Sequence, residues 1–522
     1  MKNIIILVIT LLFSMSGIAQ VDAPSVLPEA RLESDFFTDD SGSYPVGQRI
    51  TLVNNAGDDS STLQTAINTL TGLGGGVITI PAGTWEFNEI QLKSNVHLMF
   101  DPLAIVKPYE TGDVNSLPNL SIFRIGYTSV KSSNVSIRAI SGQFKVDLTH
   151  LAKETRITPF NVKEAENFMV ADAFVDDNGT IHATLNCSAS KRNNIWTGPV
   201  KGLIKNLTAQ NAHGGYGVVQ VRTGDRLLFK DLTSLRGGVT LRLESDDVSA
   251  SGGQIPLSVA RMSEISGYNI KCTDGNAAVM LQPWDATNGW VDVQKIEANG
   301  CMAGVRIDKA YLSTIGTFDP DSRITDVTTS YGTDAQVKQG VHPWVPCVLR
   351  MNPAILRPNP IPDMETYHLG PSISPLLYRA STTSGAVGNG YYSVNVPTSS
   401  ELQSKATGFN WSISLVISRD NHQVNTNNCP PLSVNSFEFA NNIKMYPNPL
   451  SNEDGIITIE FPIISNIALD IYNVLGKKVF SNNYFEKDEV KINTTQLNLT
   501  KGTYLIKMNI NDTTLTKKLV IK

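Results

Sequence analysis

Four segments near the middle of the chain share one shape: Gly217-Val-Val-Gln-Val-Arg222, Gly238-Val-Thr-Leu-Arg-Leu-Glu244, Ala278-Val-Met-Leu-Gln282 and Gly304-Val-Arg-Ile-Asp308. Each alternates apolar and polar residues, the period of a half-buried strand. Each is accompanied by another short strand, such as Leu227–Phe229, Ile265 with Tyr268–Ile270, or Val291–Ile296. A unit of about 20–30 residues cannot bury its apolar face alone, but it can stack on copies of itself. An antiparallel sandwich would join neighbouring strands through tight hairpins, whereas these connections read as long corners. The pattern predicts an all-β fold whose main part is a right-handed parallel β-helix.

Aligning the repeats on their apolar residues puts Val219, Leu241, Val279 and Val305 in one inward column, and Val221, Leu243, Leu281 and Ile307 in the next. Alternation then gives two outward columns. One holds Gln220, Arg242, Met280 and Arg306; the other holds Arg222, Glu244, Gln282 and Asp308. Glu244 opens the run Glu-Ser-Asp246-Asp247. In an extended strand, residues two apart share a face with Cα atoms ~6.6–6.8 Å apart. Inverting glycosidases need two carboxyl groups ~6.5–9.5 Å apart and retaining ones ~5–5.5 Å. Glu244 and Asp246 reach the wider range without strain. A short acidic run is usually a solvated turn, and it is the neighbours that favour a site. Gln220, Arg222, Arg242, Gln282 and Arg306 make a polar strip across successive coils, and the guanidinium fork suits sulfate or carboxylate oxygens. The same arginines could also pair with Glu244 and Asp308, and both readings can hold in the free protein. A proton donor at Glu244 needs a raised pKa, and Arg242 would lower it if too close.

The rest of the chain frames this strip. Lys2, the apolar run Ile4–Phe13 and Gly17-Ile-Ala19 read as a signal peptide over residues 1–19. No later segment is long and apolar enough to span a bilayer, so a secreted or cell-surface protein is expected. Residues 20–435 are assigned to the β-helix, with a lead-in to about residue 50. A helix over Leu63, Ala66, Ile67 and Leu70 follows, then the glycines Gly72–Gly76 and Val77-Ile-Thr-Ile80. From 311 to 431 prolines such as Pro343, Pro346, Pro353 and Pro375 suggest an irregular insertion or cap. The formal charge of −5 on 522 residues offers no global attraction to nucleic acid. Cys187, Cys272, Cys301, Cys347 and Cys429 are an odd set without metal-ligand spacing, and read as structural, with Cys272–Cys301 as a guessed pair. A monomer without an organic cofactor is expected.

Two resemblances add to this reading. The helix, the glycine run and "VITIPAGTWEF" resemble the opening coil of pectate-lyase-like β-helix enzymes, in which the helix caps the solenoid. Gln220-Val-Arg222 with Arg242-Leu-Glu244-Ser-Asp246 resembles the iota-carrageenases of glycoside hydrolase family 82. That resemblance implies inverting endo-hydrolysis of β-1,4 linkages in a sulfated galactan. Glu244 would be the proton donor, Asp246 the base, and Gln220 a holder of the attacking water. It also implies an active-site histidine, for which His213 is a candidate outside the catalytic set, and a bound calcium whose ligands are unknown. Tyr446-Pro-Asn-Pro449 and the strands that follow, over residues 440–522, resemble the sorting domain of the type IX secretion system. This implies a small β-sandwich and the secretion machinery as a partner. Competing readings are a β-helix lyase using Lys271, Lys295 or Lys309, a polygalacturonase-like enzyme, and a non-catalytic adhesin.

Overall fold

The computed structural model describes residues 26–109, 120–127, 131–245, 255–310, 316–346, 349, 357–358, 367–381, 388, 390–409, 414–419, 443–451, 455–510 and 513–522. The expected signal peptide, Asp246, Asp247, Cys347 and Cys429 lie outside the described residues. The chain divides into two compact units, one within Met1–Val345 and Ala354–His422, the other within Pro346–Pro353 and Gln423–Lys522.

In the first unit, parallel strands stack coil upon coil into two sheets of 14 and 10 strands among the described residues. The ten-stranded sheet runs in sequence order from Ile90–Leu92 through Leu120–Ile125, Ile157–Val162, Leu185–Cys187, Gly217–Val221, Val239–Glu244, Ala277–Gln282, Ala303–Ile307 and Ser374–Tyr378 to Val416–Ser418. Its register matches the expected columns. Val219, Leu241, Val279 and Val305 are partners in turn, as are Gln220, Arg242, Met280 and Arg306. The inward columns are fully buried. Further along the core, Phe100 stacks on Phe144 with ring centroids 4.2 Å apart.

The bends between straight segments have a simple cause. The long strands of the other sheet turn at Asp172, Asn206, Asp231, Asn269, Lys295 and Asp326, each with a positive φ between 51° and 59°. These residues fall at the same register in consecutive coils. One left-handed residue bends a strand sharply, and Asn and Asp tolerate that conformation best among side chains with a Cβ. Asn206 Nδ2 also donates to Asp172 Oδ1 at 2.8 Å, linking one coil to the next.

The helix Ser60–Gly72 buries Leu63, Ala66, Ile67 and Leu70 against the first coils. Cys272 and Cys301, on neighbouring coils, form the guessed disulfide. Cys187 is a buried free thiol in an inward column. Regular structure also continues into the stretch expected to be irregular. Arg323–Ser330, Ser374–Tyr378 and Val416–Ser418 extend the two sheets, and Ala335–Lys338, Arg357–Pro358 and Tyr367–Gly370 form a small antiparallel sheet. Pro343 sits in a short 3-10 helix and Pro371 between strands, where no ladder N–H is required.

Residues 29–44 lie as a strap across the outer face of the 14-stranded sheet. Arg31 reaches the fully buried Asp292 at 2.7 Å, and Glu33 meets Lys205 and Lys230 at 2.7 and 3.0 Å. Phe36 and Phe37 cover Met169, Ala171, Leu203 and Leu228. Asp39 meets Arg138 at 2.7 Å, and Asp40 meets His97 at 2.9 Å.

The second unit is a five-stranded antiparallel sheet over Lys444–Tyr446, Ile456–Asn473, Lys478–Asn493, Gly502–Ile510 and Thr513–Ile521. It has its own core, which includes Ile457, Ile459, Leu469, Ile471, Ile506 and Met508.

Candidate active site

The strands Gly217–Val221 and Val239–Glu244 lie side by side, and glycine lets them start close together. A Cβ on Gly217, whose φ is +107°, would fall 2.0 Å from the Val239 carbonyl oxygen. Parallel pairing then sets Gln220 beside Arg242, and Glu244 beside Gln282.

Glu244 ends its strand only 6% exposed, with two hydrogen-bond donors and one ion-pair partner on its carboxylate. Gln220 Nε2 donates to Oε2 at 2.8 Å, Trp284 Nε1 donates to Oε1 at 3.0 Å, and Arg242 Nε lies 2.6 Å from Oε2. Burial pushes this carboxyl up. The Arg242 guanidinium, the hydrogen bonds from Arg242 and Trp284, and the charge of Arg222 outweigh burial and hold it below the ordinary glutamate range. The raised pKa that a resting proton donor requires is therefore not present in the free protein. Arg242 itself is steered by the Gly215 carbonyl, which accepts from Nη1, and by the Tyr216 ring, 5.6 Å from its Cζ.

Two histidines flank Tyr216, each with its ring centroid 5.5 Å from the phenol ring. His213 Nδ1 accepts from the Gly215 N–H at 2.9 Å. Burial, with the charges of Arg242 and Lys338, pushes His213 down to about 4, while burial with Arg222 and Arg156 does the same to His182. Both are neutral near pH 7 and add no positive charge beside Glu244. Lys338 is held below the usual lysine range by burial and by Arg306 and Arg242.

Of the residues singled out in the sequence, Gln220, Arg222, Arg242, Glu244 and Gln282 come together on this outer face. Arg306 shares the column but is turned to a different task. It is 8% exposed, and Nε donates to Asp308 Oδ2 at 2.9 Å while Nη1 donates to Asn276 Oδ1 at 2.6 Å. Arg379 Nη1 completes the cluster at 2.9 Å from Asp308 Oδ1. Arg306 thus pairs with Asp308, as Arg242 pairs with Glu244. Of the three lysines considered for a lyase, Lys271 lies on the other sheet with Glu297 at 3.2 Å, and Lys295 is one of its corner residues. Lys309 alone sits beside the site-bearing sheet. Among the described residues, no group of three or more His, Cys, Asp or Glu side chains could hold a metal ion, so no residue is assigned to calcium.

Sequence reasoning missed Trp284 and Tyr216. Trp284 lies two residues beyond Gln282, in the turn that follows the strand, and its φ of +43° is costly for a bulky side chain.

The chain is 32% identical over 267 residues to an iota-carrageenase of Alteromonas macleodii, covering 51% of this chain and 52% of that protein. It is 34% identical over 272 residues to an iota-carrageenase of Zobellia galactanivorans, covering 52% of each. The aligned region thus spans about half the length of these curated relatives. A solved 1,3-α-1,4-β-D-galactose-4-sulfate-3,6-anhydro-D-galactose-2-sulfate 4-galactohydrolase superposes with a TM-score of 0.63 at 25% identity, over 71% of this chain and 91% of the other. An iota-carrageenase from A. fortis superposes with a TM-score of 0.66 at 23% identity, over 76% of this chain and 95% of that one, which shows a shared fold. Residues 444–522 match the family model of the secretion system C-terminal sorting domain, which marks a secreted or cell-surface protein. The chain is therefore similar to iota-carrageenases over about half of its length and carries a C-terminal region that matches a secretion sorting domain.

Proposed function

We propose that the chain is a glycoside hydrolase that cleaves β-1,4 linkages of iota-carrageenan with inversion, Glu244 giving the proton and Asp246 serving as base. The observation that carries this reading is the Glu244 carboxylate, buried on the outer face of the solenoid between Gln220, Arg242 and Trp284. The relatives named iota-carrageenase support the substrate, and the arginines support its negative charge. Calcium, expected from family resemblance, remains part of this reading without assigned ligands.

Arg242 connects binding to chemistry. A sulfate ester placed beside it competes with Glu244 for the guanidinium and brings its own negative charge. Both effects raise the Glu244 pKa, and burial adds to them once the pairing cation is drawn away. Glu244 then takes up a proton and passes it to the glycosidic oxygen as the C–O bond breaks. Asp246 removes a proton from the water that attacks the opposite face, with Gln220 placed to orient that water. Substrate binding should therefore take up about one proton per site near pH 7, a value that follows from protonating a single carboxylate on binding. Calorimetry in buffers of different ionisation enthalpy measures it. No uptake by the wild type, or the same uptake by Glu244→Gln, contradicts the mechanism.

The activity itself is tested by digesting a panel of sulfated and uronic polysaccharides. New reducing ends of α configuration from a β-linked sulfated galactan are expected. Products that absorb as unsaturated uronates would point to a lyase instead, and release of no oligosaccharide from any polymer would leave the adhesin.

A further inference from the structure

A second cationic feature lies on the same face, towards the N-terminal coils. The strands Ser190–Arg192 and Ile195–Thr197 form a hairpin through Asn193 and Asn194, both left-handed, as a two-residue turn of this kind requires. Lys191 and Trp196 stand directly opposite each other across the pair. The hairpin closes one side of a cleft of about 430 Å³ lined by Lys163, Ser190, Lys191, Arg192 and Trp196. Arg192 is fixed by Glu164, its Nε donating to Oε2 at 2.7 Å and its Nη2 to Oε1 at 2.5 Å. Lys163 Nζ lies 4.4 Å from the centre of the Tyr127 ring. Three cations against one carboxylate leave the cleft positive.

Its place in the solenoid gives the cleft meaning. Lys163 follows Val162, whose partners in succession are Cys187, Val221 and Leu243. The backbone bonds Ser188 N–H to Val162 O and Arg222 N–H to Cys187 O carry the ladder one residue further. Lys163, Ser188, Arg222 and Glu244 therefore share one outward column. Three strand spacings separate Lys163 from Glu244, ~14 Å along the stacking direction. A bound oligosaccharide extends that far.

We propose that this cleft is a distal subsite for a sulfated sugar of the polymer being cleaved, with Trp196 stacking on a ring face and Lys191 and Lys163 taking the sulfate. This rests on the reading of Glu244 as the centre of a sulfated-galactan hydrolase. Arg192, held by Glu164, shapes the wall. The indole supplies an apolar platform and the lysines mobile point charges, a combination that tolerates variation in where sulfates fall along a chain.

The test measures kcat/KM of the wild type, Lys191→Glu and Trp196→Ala on sulfated galactan oligosaccharides of increasing length. The loss in each variant should grow with length and reach about fivefold on the polymer, equivalent to about 1 kcal/mol. Lys191→Gln should lose less than Lys191→Glu, and Trp196→Phe less than Trp196→Ala, while all four variants keep the wild-type Tm. A loss that is the same at every length, or no loss, overturns the subsite. If the wild type cleaves no sulfated galactan, the hydrolase reading fails by itself. The subsite is then judged by retardation in gels containing iota-carrageenan, where Lys191→Glu migrating like the wild type overturns it.

Discussion

The solenoid has two outer faces built on the same backbone ladder, and they treat charge in opposite ways. On the 14-stranded face, buried charges are matched and covered. Asp292 meets Arg31 and Arg323, Glu33 meets two lysines, and Asp39 and Asp40 meet Arg138 and His97, all beneath or within the strap. On the ten-stranded face cations outnumber acids. Arg222, Arg242, Lys338, Lys163, Lys191 and Arg192 lie along its outer strip with two described carboxylates, Glu244 and Glu164. Removing one partner of a matched buried pair endangers the fold, whereas a surplus of one sign along an open strip attracts an oppositely charged polymer. The contrast lies in neutralisation, since both faces contain buried ionic groups.

Substitutions can break this comparison. The largest effect is expected from Glu244→Gln, which should lower kcat about 10²–10⁴-fold, the usual contribution of a positioned proton donor, while leaving the denaturation midpoint near that of the wild type. Next comes Arg31→Ala on the covered face. It leaves Asp292 buried with Arg323 as its remaining ionic partner and should cost about 1–3 kcal/mol of stability, less than a buried charge left with no partner. Chemical denaturation measures that cost, and activity per folded molecule should not change. If Arg31→Ala reduced activity without reducing stability, the division between the two faces would be wrong.

The smallest effect is expected from modest acidification. His182, His213 and His342 are pushed down to about 4, mainly by burial, from an unfolded value near 6.5. The unfolded chain therefore binds these protons first. Their contribution is complete above about pH 6.5 and is lost as pH falls towards 4. Thermal midpoints should decline slightly from pH 7 to 6 and more steeply below. A midpoint that rose on acidification over this range would contradict the burial of these rings.

Much of the site-bearing face was legible because strand alternation and parallel stacking are strong rules. Aligning Val219 with Leu241 and Val279 was enough to place Gln220 beside Arg242 and Glu244 beside Gln282. What one strand's pattern does not reveal is which outward side chain turns back into the protein. Arg306 and Arg242 occupy the same column, yet Asp308 and Asn276 claim the first, while Glu244 and the Gly215 carbonyl hold the second. Trp284 escaped notice because it comes after Pro283, outside the alternating run, and reaches Glu244 through an unfavourable backbone angle. The strap was read only as a lead-in, since a short segment without periodicity gives no sign of the sheet it will cover. In the proline-rich stretch, strands such as Ser374–Tyr378 were hard to read, because prolines between strands resemble prolines that break them.

That strap also bears on the order in which the molecule comes together. Arg31 and Asp292 are separated by 261 positions, so the segment made early cannot complete its contacts until most of the solenoid exists. Coils can add one after another by local pairing, but the ion pairs of residues 29–44 close only across many of them. A stalled or truncated solenoid would leave Phe36, Phe37 and several unmatched charges open to solvent. An unfinished molecule would therefore differ from a finished one in what it shows to its surroundings.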